Sequence, residues 1–175
     1  MIFRPTAIAG LVELLPERHR DARGAFFRTW CAEELRRAGI DFAPSQMSLS
    51  ENTHRHTLRG MHFRAAPKEE QKLVRCVRGA VFDAAIDLRP GSPTYLRHEA
   101  VTLSAEAGNA FFIPRGLAHG FLTLTEDAAV EYLIDLPYAP GHDRGVRWND
   151  PAFGIAWPAP PAVIGERDAT YPDHG

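Results

Sequence analysis

Short apolar runs, each closed by glycine, proline or an aspartate-rich turn, follow one another closely along this chain and leave room for little helix. Leu11 to Leu15 ends at Pro16, and Asp21-Ala-Arg-Gly24 is a turn ahead of the aromatic run Ala25 to Trp30. Gln46 to Ser50 alternates, as a strand does. Lys72 to Val77, then Arg78-Gly79, then Ala80 to Leu88 reads as a hairpin. Tyr95 to Leu103, Asn109 to Ile113, His119 to Leu124 and Ala128 to Ile134 are further strand-like runs rich in β-branched and aromatic residues. Ala32 to Ala38 is the one convincing helix, with Gly39 as its stop. Beyond Pro137 the chain turns proline- and aromatic-rich and irregular. Such a pattern predicts an all-β sandwich or barrel. With no repeat and no linker, residues 1–175 are expected to form one domain.

The stretch Thr57-Leu-Arg-Gly-Met-His-Phe63 carries the first chemical signal. Strand alternation alone points Arg59 and His62 to opposite faces. Gly60 lies between them, and a bulge there would shift the register by one and bring both to one face. An anion-holding arginine and a proton-moving histidine would then share a cavity. Taken alone, His62 reads equally as a satisfied strand histidine.

Composition removes several function classes. The 175 residues are enough for one real core. A formal net charge of -2 argues against a nucleic-acid surface driven by bulk charge. No run of about 18 apolar residues predicts a membrane span, and charged residues early in the chain (Glu13, Glu17, Arg18, Arg20) do not suit a signal peptide. Two cysteines, Cys31 and Cys76, make no disulfide framework, so a reducing cytoplasm is expected. The 20 cations include only two lysines, Lys68 and Lys72. Where arginine is the default, a retained lysine suggests a task that needs a compact, tunable ammonium.

Gly108, then Pro114-Arg-Gly116-Leu-Ala-His119, sets a fixed turn before a histidine. This spacing resembles the second motif of the cupin superfamily and implies a cupin-type double-sheet jelly roll with short peripheral helices. Many cupins bind a metal through a His-x-His and a nearby glutamate. His54-Arg-His56 is a His-x-His, but no glutamate follows it closely, and it lies in a polar, loop-like segment. Arg59 and Arg64 would repel a divalent ion. A metal-free site is therefore expected.

A longer series of matches points to one family. It runs through Asp21-Ala-Arg-Gly24, Gln46, Leu58-Arg-Gly-Met-His-Phe63, Lys72-Leu-Val74, Phe82 to Arg89, Ser92-Pro-Thr94 and Ile113 to Phe121. It continues through Tyr132, Tyr138, Trp148-Asn-Asp-Pro151, Ile155-Ala-Trp-Pro158 and Glu166-Arg-Asp168. The chain resembles the dTDP-4-dehydrorhamnose 3,5-epimerases, isomerases of nucleotide-linked 4-keto sugars. The resemblance implies His62 as base with Asp168 as its partner, Lys72 at the C4 oxygen and Tyr132 as the acid on the opposite face. It implies Arg23 and Arg59 at the pyrophosphate, and Gln46, His119 and Tyr138 along the sugar and nucleotide pocket. It also implies a dTDP-linked keto-sugar substrate, no cofactor, no metal, and a homodimer with exchanged N-terminal strands. Asp83, Asp87, Asn149, Asp150 and Trp157 are expected to serve structure.

Five positions depart from the family pattern: Arg28, Ser48, His56, Arg64 and Leu133. None removes a proposed catalytic group, but several fall where substrate recognition is expected. The rival readings are an epimerase acting at one carbon, a non-catalytic sugar-nucleotide-binding cupin, and a metal-dependent cupin enzyme.

Overall fold

A computed structural model describes residues 1–174. Its strands are β1 (Ile2–Pro5), β2 (Val12–Leu15), β3 (His19–Asp21), β4 (Gly24–Phe26), β5 (Gln46–Asn52), β6 (Thr57–Arg64) and β7 (Lys72–Arg78). They continue as β8 (Ala80–Asp87), β9 (His98–Ser104), β10 (Ala110–Ile113), β11 (Leu117–Thr123), β12 (Ala128–Ile134), β13 (Asp143–Gly145) and β14 (Val163–Ile164). The helices are α1 (Ala32–Arg37) and α2 (Glu166–Ala169).

Two sheets face each other. One runs β1-β2-β10-β7-β12-β5, and the other runs β13-β6-β11-β8-β9, with β14 also paired to β6. Alternation along β7 decides what lies between them. Val74 and Cys76 are fully buried in the central core, while Leu73 points the other way, into a second cluster. Lys72 shares the parity of Val74 and so faces inward. Strand β12 repeats the logic, with Val130 in the central core, Tyr132 packed against it, and Leu133 on the outer cluster. Leu133, unusual for the resemblance, is therefore a packing residue on the far side of the sheet. From the facing sheet, Val81, Ala85, Leu103, Leu117 and Phe121 close the core. Fully burying a side chain such as Phe121 contributes about 1.5–3 kcal/mol.

Both outer faces are covered too. Leu35 of α1, with Ile40 and Phe42, packs on Val12, Leu14, Leu73 and Phe112. On the other side Val146, Phe153 and Trp157 of the late chain pack on Met61, Ala84, Ile86 and Ala118. Double coverage explains why β8 and β10 read as near-continuous apolar runs rather than alternating ones.

Four expectations need correction. Strands β7 and β8 are not a hairpin, because β7 pairs with β10 and β12, and β8 with β9 and β11. Gly79 turns the chain between the two sheets at φ +74°, where a Cβ would lie 2.2 Å from the Thr125 hydroxyl. The aromatic run after Gly24 stops being a strand at Phe26, and β4 pairs only with β3. Residues 95–97 belong to the loop before β9. Beyond Pro137 the chain is not wholly irregular, since β13 and β14 lie along the free edge of β6 and are followed by α2.

Candidate active site

The bulge anticipated at Gly60 is present. His62 pairs with His119, and Arg59 pairs with Phe121, so three steps along β6 match two along β11. The extra residue restores a common face to Arg59 and His62. Glycine is required at this point. Gly60 has φ +139°, and a Cβ on it would sit 2.5 Å from the Gly120 Cα. Gly120 is small for the reciprocal reason, with a would-be Cβ 2.5 Å from the Met61 sulfur.

His62 is held from the far end of the chain. Its Nε2 lies 2.7 Å from Asp168 Oδ1, and the Gly60 amide donates to Asp168 Oδ2 at 3.0 Å. Burial pushes the Asp168 carboxyl up, but the bonds from His62 and Gly60 outweigh it and hold the group below its ordinary value. Asp168 is thus an anion at neutral pH. The Tyr171 ring stands edge-on to the imidazole at 6.2 Å and backs it from the side.

Between the sheets, beside this pair, lies a cavity of about 310 Å³. The β6–β11 sheet contributes Arg59, His62 and His119, and the opposite sheet contributes Lys72, Tyr132 and Ser48. The base candidate and the phenol therefore stand on opposite walls. His119 is buried, and its Nε2 lies 2.9 Å from both oxygens of the fully buried Asp83. Burial pushes the Asp83 carboxyl up, against the pull of His119. Burial also drives the Tyr132 phenol well above its usual value, with the Asp83 charge adding to the effect and Arg59 opposing it. Tyr132 is a protonated donor at any working pH. Arg59 is braced by donating from Nε to Asn52 Oδ1 at 2.8 Å.

A second cavity of about 450 Å³ shares Arg59 and His62 and adds Arg167 and Asp168. Two guanidiniums on one cavity suit an anion, because each planar fork can meet two oxygens. His62 borders both spaces, so a charged group and a reacting ring could be held at once on either side of it.

Six of the nine residues singled out from sequence are brought together here: His62, Asp168, Tyr132, Lys72, Arg59 and His119. The other three lie outside the lining of these two cavities. Gln46 starts β5 and donates to the Leu136 carbonyl at 2.7 Å, next to the cavity's Ile134 across the ladder. Tyr138 is 66% exposed on the loop after β12. Arg23 sits at the tip of the separate β3–β4 hairpin, paired with Asp21 at 2.6 Å. Sequence reasoning missed Arg167 and Ser50, which line these cavities, and gave Asp83 only a structural role. Asp83 could have been found, since an aspartate within the apolar run of β8 needs a buried partner. Arg167 had no such signal, as arginine is abundant everywhere in this chain. Among the described residues no three His, Cys, Asp or Glu side chains are grouped to hold a metal.

Known proteins resemble this chain along nearly its whole length. The sequence model of the family described as dTDP-4-dehydrorhamnose 3,5-epimerase matches residues 5–174. A dTDP-4-dehydrorhamnose 3,5-epimerase of Sinorhizobium fredii is 40% identical over 98% of this chain and 89% of its own. A dTDP-4-dehydro-6-deoxyglucose 3-epimerase of Streptomyces bikiniensis is 38% identical over 97% of this chain and 87% of its own. The crystal structure of a dTDP-4-dehydrorhamnose 3,5-epimerase from Bacillus anthracis, with TDP and PPi bound, superposes with a TM-score of 0.96. That pair is 32% identical and covers 99% of each chain.

Proposed function

The chain belongs to the dTDP-4-dehydrorhamnose 3,5-epimerase family, and on that footing we propose that it epimerises a dTDP-linked 4-keto-6-deoxy hexose. The observation that carries the reading is the Asp168-held His62 facing Tyr132 across a cavity that also holds Lys72 and His119. A C4 ketone acidifies the hydrogens on C3 and C5, because the carbanion formed delocalises into an enolate. Asp168 accepts the Nε2–H of His62, so Nδ1 is free to take the carbon-bound proton. Asp168 then balances the imidazolium. Lys72 supplies positive charge at the enolate oxygen, where charge develops in the transition state, and His119 lines the same cavity. Tyr132 returns a proton from the opposite wall, which inverts the carbon; the tyrosinate then regains a proton from solvent and the His62 imidazolium releases the one it took.

Arg59 and Arg167 would hold the diphosphate in the adjoining cavity. No metal or cofactor enters these steps. The bulged strand, the outer-face packing of the late chain and the β14–β6 pairing support one domain. No helix of the described residues is long and apolar enough to cross a membrane, and both cysteines are free thiols, which suits a cytoplasmic enzyme.

Because Tyr132, Lys72, His62 and Asp168 are all present, inversion at both C3 and C5 is the favoured outcome. Incubation with the dTDP-linked 4-keto-6-deoxy hexose in deuterated water, read by proton NMR, tests it. Deuterium at both carbons with inverted product is expected. Label at C3 alone makes the chain a 3-epimerase like the Streptomyces relative, and tight binding without label makes it a binding module.

The β3–β4 hairpin supports a homodimer. It pairs with neither large sheet, and Phe26 is 79% exposed and the Arg23 side chain 91% exposed. A lone two-stranded hairpin is marginal in water, and β5 leaves an open edge carrying exposed Met47 and Leu49. Exchange of N-terminal strands with a second copy would cover both features and bring Arg23 to the partner's diphosphate. Sedimentation should give a dimer, and Arg23→Ala should raise KM. A fully active monomer would exclude both.

A further inference from the structure

Lys72 does not stand alone on the cavity wall. Its Nζ lies 3.0 Å from Glu70 Oε1, and the other carboxylate oxygen, Oε2, lies 2.9 Å from Arg64 Nε. All three side chains are nearly buried, at 13%, 7% and 5% exposure for Lys72, Glu70 and Arg64. Arg64 reaches further. Its Nε is 3.4 Å from Asp143 Oδ1, its Nη1 donates to the Pro137 carbonyl at 3.0 Å, and its guanidinium lies 5.7 Å from the Tyr138 ring centre.

We infer that Glu70 is the positioning residue for Lys72, and that Arg64 holds Glu70 in place while tying it to the 137–143 segment. The inference rests on the proposed epimerase reading. An ammonium has three N–H groups on a flexible stem, and nothing in the lysine itself chooses where they point. The Glu70 carboxylate, 3.0 Å from Nζ, draws the ammonium to one place on the cavity wall by charge. Glu70 would itself be free to turn if it were bound only to Lys72. The Arg64 contact is close, but neither Arg64 Nε nor Glu70 Oε2 finds an aligned hydrogen-bond partner. The attraction is one of charge at both oxygens, with Oε2 held toward Arg64 and Oε1 toward Lys72. Two buried cations beside each other would be costly without this carboxylate, because unpaired charge in a buried site is destabilising. Asp83 already feels the Lys72 charge, so a released ammonium has a competing carboxylate beside His119 to move toward. Small misplacement of a catalytic group costs up to about 10²-fold in rate.

Steady-state kinetics of Glu70→Gln, Glu70→Ala, Arg64→Gln and the double variant Arg64→Gln/Glu70→Gln test the device, with deuterium incorporation by the unchanged enzyme measured alongside. Glu70→Ala should lose about tenfold or more in kcat with little change in KM, since the lysine acts chiefly on the transition state. Glu70→Gln keeps an acceptor and should fall between. Paired amides can bond to each other and still offer a carbonyl to Lys72, so the double variant should exceed Arg64→Gln in kcat. Unchanged kcat in both Glu70 variants, or a rise in KM with kcat kept, overturns the role of Glu70. A double variant no better than Arg64→Gln overturns the role of Arg64. If Glu70→Ala does not fold, Glu70→Gln and the double variant carry the same comparison. Absence of label with the unchanged enzyme would instead refute the epimerase reading itself.

Discussion

His62→Ala should abolish proton abstraction, lowering deuterium incorporation at C3 and C5 by about 10²- to 10⁴-fold, while His54→Ala leaves turnover intact. The difference follows from placement. His62 borders both cavities and is bonded to Asp168, whereas His54 lies in the turn before β6 and gives its backbone carbonyl to Thr57 and Thr123. Asp168→Asn is the companion test. An asparagine could satisfy the Gly60 amide, yet could not favour the tautomer that frees Nδ1 or balance an imidazolium. It should therefore lose much of the same rate with the fold kept. Equal losses in the His62 and His54 variants would show that the base has been assigned to the wrong histidine. Full activity in Asp168→Asn would show that the carboxylate only packs.

Lys72→Arg keeps the charge and should still lose roughly 10²-fold or more in turnover, the size of effect seen when an oxyanion donor is removed. The side chain starts at the first residue of β7, faces inward, and is 13% exposed between Glu70 and the cavity. A guanidinium is longer and planar, with its donors in a rigid fork. It would extend past the position from which an ammonium meets the C4 oxygen, and it would tend to pair bidentately with Glu70. Single-turnover measurements with the keto-sugar separate this from binding, because the loss should appear in kcat rather than KM. Unchanged turnover would make Lys72 a generic cation and remove the meaning of its scarcity.

Several features of the site were legible because they are local. The Gly60 bulge followed from a glycine within a strand-like run, and it was enough to put Arg59 and His62 on one face. Lys72 stood out by rarity, and β7 parity then turned it inward. The departures at Leu133 and Arg28 were visible but not interpretable. Leu133 packs on the outer cluster and Arg28 pairs with Glu34 of α1, so neither touches the cavities around His62. Arg64, by contrast, reaches Lys72 through Glu70.

Alternation of apolar residues, turn chemistry and the ordered motifs were sufficient, by themselves, to determine the all-β class, most strand positions, the family and the principal catalytic candidates. The class and the strand positions depend on residues within a few positions of one another, and the family and the candidates on the order of motifs from Asp21 to Asp168. What only the tertiary structure decided is who meets whom. A period of two says that a strand has two faces, but not which strand lies beside it, and so the Lys72–Leu88 segment read as a hairpin although its halves lie in opposite sheets. The Asp168–His62 bond spans 106 positions, and the His119–Asp83 bond joins neighbouring strands across a separation of 36. Burial then set their chemistry, because the shifts of Asp83, Tyr132 and Asp168 arise from desolvation and from partners that only the folded chain brings within reach.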